Sequence, residues 1–359
     1  MSLKFDQFTE FTPGTGLQLL RKGVSNYVKG RPLIVSFEVT LSCNCNCRHC
    51  DLGGLRSEEE RIAPEQYAAI TAEHRPPLVQ ISGGEPLLRP DIVDVVRAMK
   101  KASPPTYVIV VTNGVLLEPG IYRELKDAGM NQLSVSLDFP DERHDDFRRH
   151  KGLFAHLSET LPKLAEMGYG DIIVNTAITR ANMGELFAIS DLVESWGVTI
   201  SYSAYTQLRT GDPQYAITEP GDLEALKESL EELIRLSRTR PHIANPETVL
   251  RDTYAYFENG GMPHCSAGLR FFVVMPDGAF VPCSLHRHRF TNQRDMIRDF
   301  TRSNACGQCY VAIRSYSDKP LWKLVVKDVP SLTRRLFDRF VPGNGADVRR
   351  GGPTATGTG

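Results

Sequence analysis

The sequence predicts an α/β protein in which a partial six-unit (β/α) barrel is followed by a small β-hairpin-plus-helix domain. Three observations predict it. Six short apolar runs alternate with amphipathic stretches between residues 34 and 204, the pattern of a parallel sheet with helical crossovers. Polar motifs follow five consecutive runs, which sets one working face at the C-terminal ends of the strands. The eight cysteines fall in two groups, at 43–50 and 265–309, with none between.

The elements follow in order. Residues 1–30 form a preface whose Leu17, Leu20, Val24, Tyr27 and Val28 share one face of a short helix, beside Arg21, Lys22 and Lys29. Strand one is expected at 34–39, strand two at 78–81, strand three at 107–111, strand four at 133–137, strand five at 172–178 and strand six at 198–204. Tyr107-Val108-Ile109-Val110-Val111 is an unbroken apolar run, as in a parallel strand covered on both faces. Helices are expected at 64–74, where Pro64 stands near the start, and at 91–102, where Ile92, Val95, Val96 and Met99 share a face. Further helices are expected at 119–128, 151–167, 184–196 and 223–236. A doubly wound sheet would gather its site at one switch point. Polar motifs at five strand ends favour a TIM-like partial barrel over residues 31–240. Pro241 and Pro246 mark a break, after which 271–275 and 279–282 flank Pro276-Asp277-Gly278 as a β-hairpin in a second domain over 241–315. Residues 316–342 read as amphipathic helices with Trp322, Leu336, Phe337 and Phe340 among Lys and Arg, and 343–359 as a disordered tail.

Composition narrows the function. Lys+Arg 42 against Asp+Glu 43 gives a formal charge of −1, which provides no field for nucleic acid. At 41% hydrophobic residues the chain can bury a core. No apolar run approaches a membrane span and no signal segment is visible, so a cytoplasmic protein with reduced thiols is expected.

The cysteines carry the chemistry. Cys43, Cys47 and Cys50 stand in a C-x3-C-x2-C spacing with Cys45 between them. Thiolates at such spacing hold iron–sulfur clusters, and three ligands would leave one iron of a cube open. Zinc is the alternative, although His49 sits too close to its neighbours to close the same site. Gly83-Gly84-Glu85-Pro86 follows strand two; glycines admit close backbone approach, and Glu85 offers a carboxylate to an ammonium. Thr112-Asn113-Gly114 follows strand three, Ser136 and Asp138 lie at strand four, and Arg180 follows strand five. Cys265, Cys283, Cys306 and Cys309 form the second group, for which zinc and a cluster are both open on spacing alone.

Taken together these motifs resemble the radical SAM superfamily, whose signature is C-x3-C-x-Φ-C, with His49 here at the usually aromatic position. The resemblance implies a [4Fe–4S] cluster on Cys43, Cys47 and Cys50 whose open iron chelates S-adenosylmethionine (SAM). It implies SAM contacts from His49, Gly83, Gly84, Glu85, Thr112, Asn113, Ser136, Asp138 and Arg180, with Arg180 on the SAM carboxylate. The run His144-Asp145, Arg148 and Gly152-Phe154 is similar to one in SPASM-type members. The hairpin between Cys265 and Cys283 resembles the opening of SPASM and twitch domains, which carry auxiliary [4Fe–4S] clusters. No cysteine follows Cys309, so the likeness is to the shorter twitch form with a single auxiliary cluster, making two clusters in all.

The expected function is a radical SAM oxidoreductase: SAM is cleaved reductively to a 5′-deoxyadenosyl radical that abstracts a substrate hydrogen. The auxiliary cluster, saturated by four cysteines, serves electron transfer. Dehydrogenation or C–C or C–S bond formation on a small molecule or peptide would follow, with a flavodoxin- or ferredoxin-type electron donor. A second reading takes the same chemistry to a lipid or isoprenoid at a membrane surface, on the basic–apolar segments 17–29 and 319–341. A third, a non-catalytic iron–sulfur or zinc protein, would need neither Glu85 nor the polar strand ends.

Overall fold

The structure is a computed structural model that describes residues 12–328. One open sheet of eight strands organises it: β1 (Ile34–Thr40), β2 (Leu78–Gly83), β3 (Tyr107–Thr112), β4 (Gln132–Ser136), β5 (Ile172–Ile178), β6 (Thr199–Ala204), β7 (Phe271–Val274) and β8 (Phe280–Val281). Their order is β6-β5-β4-β3-β2-β1-β7-β8, parallel throughout except for β8 against β7. Six strands arise where the apolar runs predicted them, with ends shifted by a residue or two.

Alternation along the strands divides the sheet into two faces. Val35, Phe37 and Val39 of β1 are fully buried on the helix-covered face, with Val79, Ile81, Val108, Val110, Leu133 and Val135. Burying each such side chain contributes about 1.5–3 kcal/mol. Ser36, Glu38 and Thr40 point to the other face, where Ser36 Oγ lies 3.0 Å from Ser82 Oγ. That inner face carries the polar side chains of β1, and its upper end carries the site.

The helices cover the outer face as their periodicity requires. Ile92–Ala102 buries Ile92, Val95, Val96 and Met99. The helix expected over 151–167 forms at Leu153–Ala165, and a short helix not foreseen, Arg143–Arg148, precedes it. Arg149 and Gly152 take positive φ values of 52° and 82° between them, and the Asp145 carboxylate accepts from the Gly152 and Phe154 N–H groups. The N-terminal helix Pro13–Val28 packs on the body: Lys22 Nζ donates to Ser103 O at 2.7 Å and Pro105 O at 2.8 Å, and Asn26 Nδ2 donates to Pro32 O and Arg75 O, each at 2.9 Å.

The hairpin assigned from sequence to a separate domain joins the barrel sheet. β7 pairs in parallel with β1, Ile34 facing Phe271 and Phe37 facing Val274. Apolar β7 side chains supply the edge: Phe271 packs with Leu33, Ile34, Cys265 and Cys283, while Phe272 and Val274 join the main core. A helix not foreseen, Glu247–Glu258, lies against Pro220–Leu236. The chain then runs through Ala312–Ser317 and Leu321–Lys323 to a short π-helix, Leu324–Asp328. Lys319 Nζ is bonded to Asp328 Oδ2 at 2.9 Å and Lys323 Nζ to Asp252 at 2.7 Å. The tail and the apolar residues Leu336, Phe337 and Phe340 lie outside the described residues. Among the described residues no helix is long and apolar enough to cross a membrane.

Candidate functional site: a cysteine-lined cavity at the strand ends

The cysteine loop leaves β1 and is tied down from three sides. Cys43 N donates to Gly54 O at 2.9 Å, closing the loop on itself. Arg48 N donates to Phe147 O at 2.9 Å and Asn46 N to Arg148 O at 3.3 Å, fixing it to the helix after β4. From β2, Gly84 N donates to Thr40 O at 2.7 Å and Glu85 N to Ser42 O at 2.8 Å. The two glycines are required here. A Cβ on Gly83, whose φ is 132°, would meet Thr40 O at 2.1 Å, and one on Gly84 would meet Ser42 O at 2.0 Å. Their close approach is thus to the root of the cysteine loop, where the sequence suggested approach to a ligand.

Above this weld lies a cavity of about 140 Å³. All four cysteines of the loop line it, with His49, Gly83, Gly84, Thr112, Asn113 and Ser136 of the expected SAM contacts. Two N–H donors are aimed at the sulfurs. Asn113 Nδ2 is 3.7 Å from Cys43 Sγ and 2.7 Å from Asn44 Oδ1; Arg148 Nη1 is 3.8 Å from Cys47 Sγ. Hydrogen bonding from the Cys45 thiol holds Cys43 and Cys47 down at about 7 despite their burial, and Cys45 itself is pushed up. Burial pushes Cys50 up. Thiolates facing a cavity, with N–H donors behind them, are the donor set an iron–sulfur cluster takes. Among the described residues no three His, Cys, Asp or Glu side chains converge as ligands of a single metal ion.

His49 serves the aromatic position. Its ring stacks on Phe147 at 4.7 Å and 9°, with Tyr205 edge-on at 6.4 Å. Burial lowers its pKa to about 4, so the ring is neutral.

Three expected SAM contacts stand elsewhere. Glu85 is fully buried behind the cavity wall. Its carboxylate accepts from Thr112 Oγ1 at 2.8 Å, Asn113 N at 2.7 Å and Leu87 N at 3.0 Å. It joins the ends of β2 and β3 and does not present itself to an ammonium. Asp138, also fully buried, accepts from Arg148 Nε at 2.7 Å and so orients the guanidinium that reaches Cys47. Arg180 is half exposed and pairs with Asp222 at 2.7 Å, away from the cavity. Arg148 and Asn44 are the site residues that sequence reasoning passed over. Arg148 was visible as the arginine of the His144-Asp145 run; Asn44 carried no signal of its own.

The cysteines of the second group lie in one region of the fold. Cys265, Cys283 and Cys309 are buried and Cys306 is half-buried, and all eight cysteines of the chain are free thiols. Arg314, 1% exposed, ties the region together by donating to Cys309 O at 2.6 Å, Met262 O at 2.7 Å and Pro263 O at 2.9 Å. Asn304 Nδ2 donates to Cys265 O at 2.8 Å and His286 N to Cys283 Sγ at 3.3 Å. Burial pushes Cys265 to about 12 and Cys283 to about 11, with the Arg314 charge pulling Cys265 back.

Comparison with known proteins agrees with this geometry. Residues 37–186 match the profile of the Radical SAM superfamily. The chain is 31% identical over 189 residues to the AdoMet-dependent heme synthase of Methanosarcina barkeri, an alignment that covers 50% of this chain and spans about half, 52%, of that relative. It is 24% identical over 285 residues to a probable GTP 3′,8-cyclase of Methanothermobacter thermautotrophicus, covering 75% of this chain and 90% of the relative. Among solved structures, Streptococcus suis SuiB bound to its precursor peptide SuiA superimposes with a TM-score of 0.54 at 18% identity, over 90% of this chain and 74% of SuiB. The parallel sheet and the cysteine loop at its strand ends agree with the profile match, and residues 37–186 form a domain of the radical SAM superfamily.

Proposed function

We propose that the protein is a radical SAM oxidoreductase with two [4Fe–4S] clusters, one held by Cys43, Cys47 and Cys50 and the other by Cys265, Cys283, Cys306 and Cys309. The observation that carries this reading is the cavity in which three loop cysteines face Gly83, Gly84, Thr112, Asn113 and Ser136, with two donors behind the sulfurs. When bound, the first cluster supplies the electron that cleaves SAM to a 5′-deoxyadenosyl radical, and the second accepts or delivers an electron.

The chain's own residues then have defined tasks. Asn113 and Arg148 donate toward Cys43 and Cys47 and favour their thiolate forms. Glu85 holds Thr112 and Asn113 against the cysteine loop. The stack of His49 on Phe147 closes one wall with a neutral aromatic surface and keeps water from it. Ser136 offers a hydroxyl to SAM from the end of β4. Arg314 fixes the backbone around Cys309 and places a positive charge beside Cys265 and Cys309. The names of the relatives span a heme synthase, a cyclase and an enzyme with a peptide, so the substrate must be read from this chain's own inner face.

The test separates the two clusters. Changing Cys306 and Cys309 together to Ala should abolish turnover of the true substrate while abortive SAM cleavage in dithionite persists, with iron content and circular dichroism checking the fold. A folded variant that keeps normal turnover would refute the electron-transfer role.

A further inference from the structure

The inner face of β1 carries a carboxylate with an unpartnered oxygen. Glu38 is 3% exposed, and its Oε2 accepts no hydrogen bond. It stands opposite Ser82 in the β1–β2 register, and Ser82 lines the cysteine cavity. The charges of two guanidinium groups reach it from other parts of the chain. Arg209 comes from the loop after β6, and Arg287 from the segment after β8, just beyond Cys283. Neither is bonded to Glu38. Both are held by Asp51, next to Cys50: Arg209 Nη1 lies 3.4 Å from Asp51 Oδ1, and Arg287 Nη2 lies 3.5 Å from Asp51 Oδ2 without hydrogen-bond geometry. Arg287 Nη2 is therefore a second buried polar atom lacking a hydrogen bond.

A buried carboxylate oxygen and a buried guanidinium nitrogen, each left unmatched, cost free energy unless something pairs with them. Burial pushes the Glu38 carboxyl up, and the charges of Arg209 and Arg287 only partly pull it back. The four side chains sum to zero formal charge. An anion such as a phosphate would meet Glu38 and Asp51 as well as the arginines, and a cation would meet both arginines. A zwitterion matches both halves: its carboxylate suits the fork of Arg287 and Arg209, and its ammonium suits Glu38. Location points the same way, because Asp51 adjoins Cys50 of the first cysteine group and Arg287 follows Cys283 of the second.

We propose that Glu38, Arg209 and Arg287, braced by Asp51, form the substrate-recognition site and bind a small zwitterionic amino-carboxylate, such as an amino acid, between the two cysteine groups. This rests on the radical SAM reading for what happens to the substrate, although the binding itself does not.

The probes are the twenty common amino acids and 4-aminobutyrate, titrated into SAM-loaded holoenzyme by calorimetry and thermal shift. At least one should bind with a Kd below about 10 mM. Its N-acetyl and carboxamide derivatives should bind about tenfold or more weakly, because each removes one pole. Glu38→Gln and Arg287→Met should each weaken the winning probe by about tenfold or more. Iron content and ligand-free melting temperature identify any variant that has simply misfolded; Arg209→Lys, which keeps the charge and loses the fork, is then the second variant. Wild type that releases 5′-deoxyadenosine but binds none of the probes overturns this inference alone. So does a winning probe bound equally by wild type and by folded Glu38→Gln and Arg287→Met. Wild type that binds a probe yet never cleaves SAM sinks the proposed function and leaves the recognition site standing.

Discussion

Changing Glu85 to Ala distinguishes two roles for the G-G-E motif. If the carboxylate faced a ligand ammonium, the variant would fold normally and lose SAM affinity by about 1.5–3 kcal/mol, a single charge-assisted bond. The structure gives Glu85 three internal donors instead: Thr112 Oγ1, Asn113 N and Leu87 N. Thr112 can turn its hydroxyl elsewhere, but the two backbone N–H groups are held in place. Leaving each unmatched in a buried site costs about 1–3 kcal/mol, so about 2–6 kcal/mol together. Relief of the buried carboxyl, whose pKa burial raises to about 7, offsets part of this. A loss of about 2–4 kcal/mol remains, a large share of the ~5–15 kcal/mol typical of a folded domain. Glu85→Gln should fall between, since an amide sets its NH2 against one of the donors. The assay is urea denaturation of anaerobically purified protein, with SAM affinity by equilibrium dialysis beside it. A variant as stable as wild type that has lost only SAM affinity would refute the bracing role.

Three further outcomes follow. Reconstituted wild type should hold about eight irons, and the Cys43/Cys47/Cys50 triple alanine about four; stoichiometric zinc at the second group in native protein would contradict the second cluster. Gly84→Ala should sharply reduce iron incorporation, because its Cβ would lie 2.0 Å from Ser42 O, and wild-type iron content would show that the weld is dispensable. His144 is fully buried, and burial lowers its pKa to about 4, so the folded state stays neutral where the unfolded chain takes a proton near 6.5. The stability this group contributes is present above about pH 6.5 and lost as pH falls toward 4, about 1.4 kcal/mol of it between pH 8 and 5.5. His144→Phe should flatten that part of the stability–pH curve, and an unchanged slope would remove His144 as its source.

Most of the barrel was legible because strands covered on both faces write themselves as apolar runs, as at Tyr107–Thr112. The cysteine groups were legible because spacing is a local property. What local reading could not give was side-chain destination. Glu85, Asp138 and Arg180 each sit at a strand end as predicted, yet Glu85 turns inward to β3, Asp138 pairs with Arg148, and Arg180 pairs with Asp222. Those choices depend on partners distant in sequence. Parallel pairing of β7 with β1 was equally invisible, since a hairpin's turn predicts β8 and says nothing about the other edge of β7. Glu38 went unremarked because a lone acid in a strand reads as a surface residue until the fold buries it.

The central claim is that the Cys43, Cys47 and Cys50 loop supports reductive cleavage of SAM. Anaerobic incubation of the reconstituted protein with SAM and dithionite, followed by chromatography for 5′-deoxyadenosine, tests it most directly. Wild type should release 5′-deoxyadenosine and methionine in equal amounts, and the Cys43/Cys47/Cys50 triple alanine should release none. Fully reconstituted wild type that leaves SAM intact, or a triple variant that cleaves it as well as wild type does, would contradict the account.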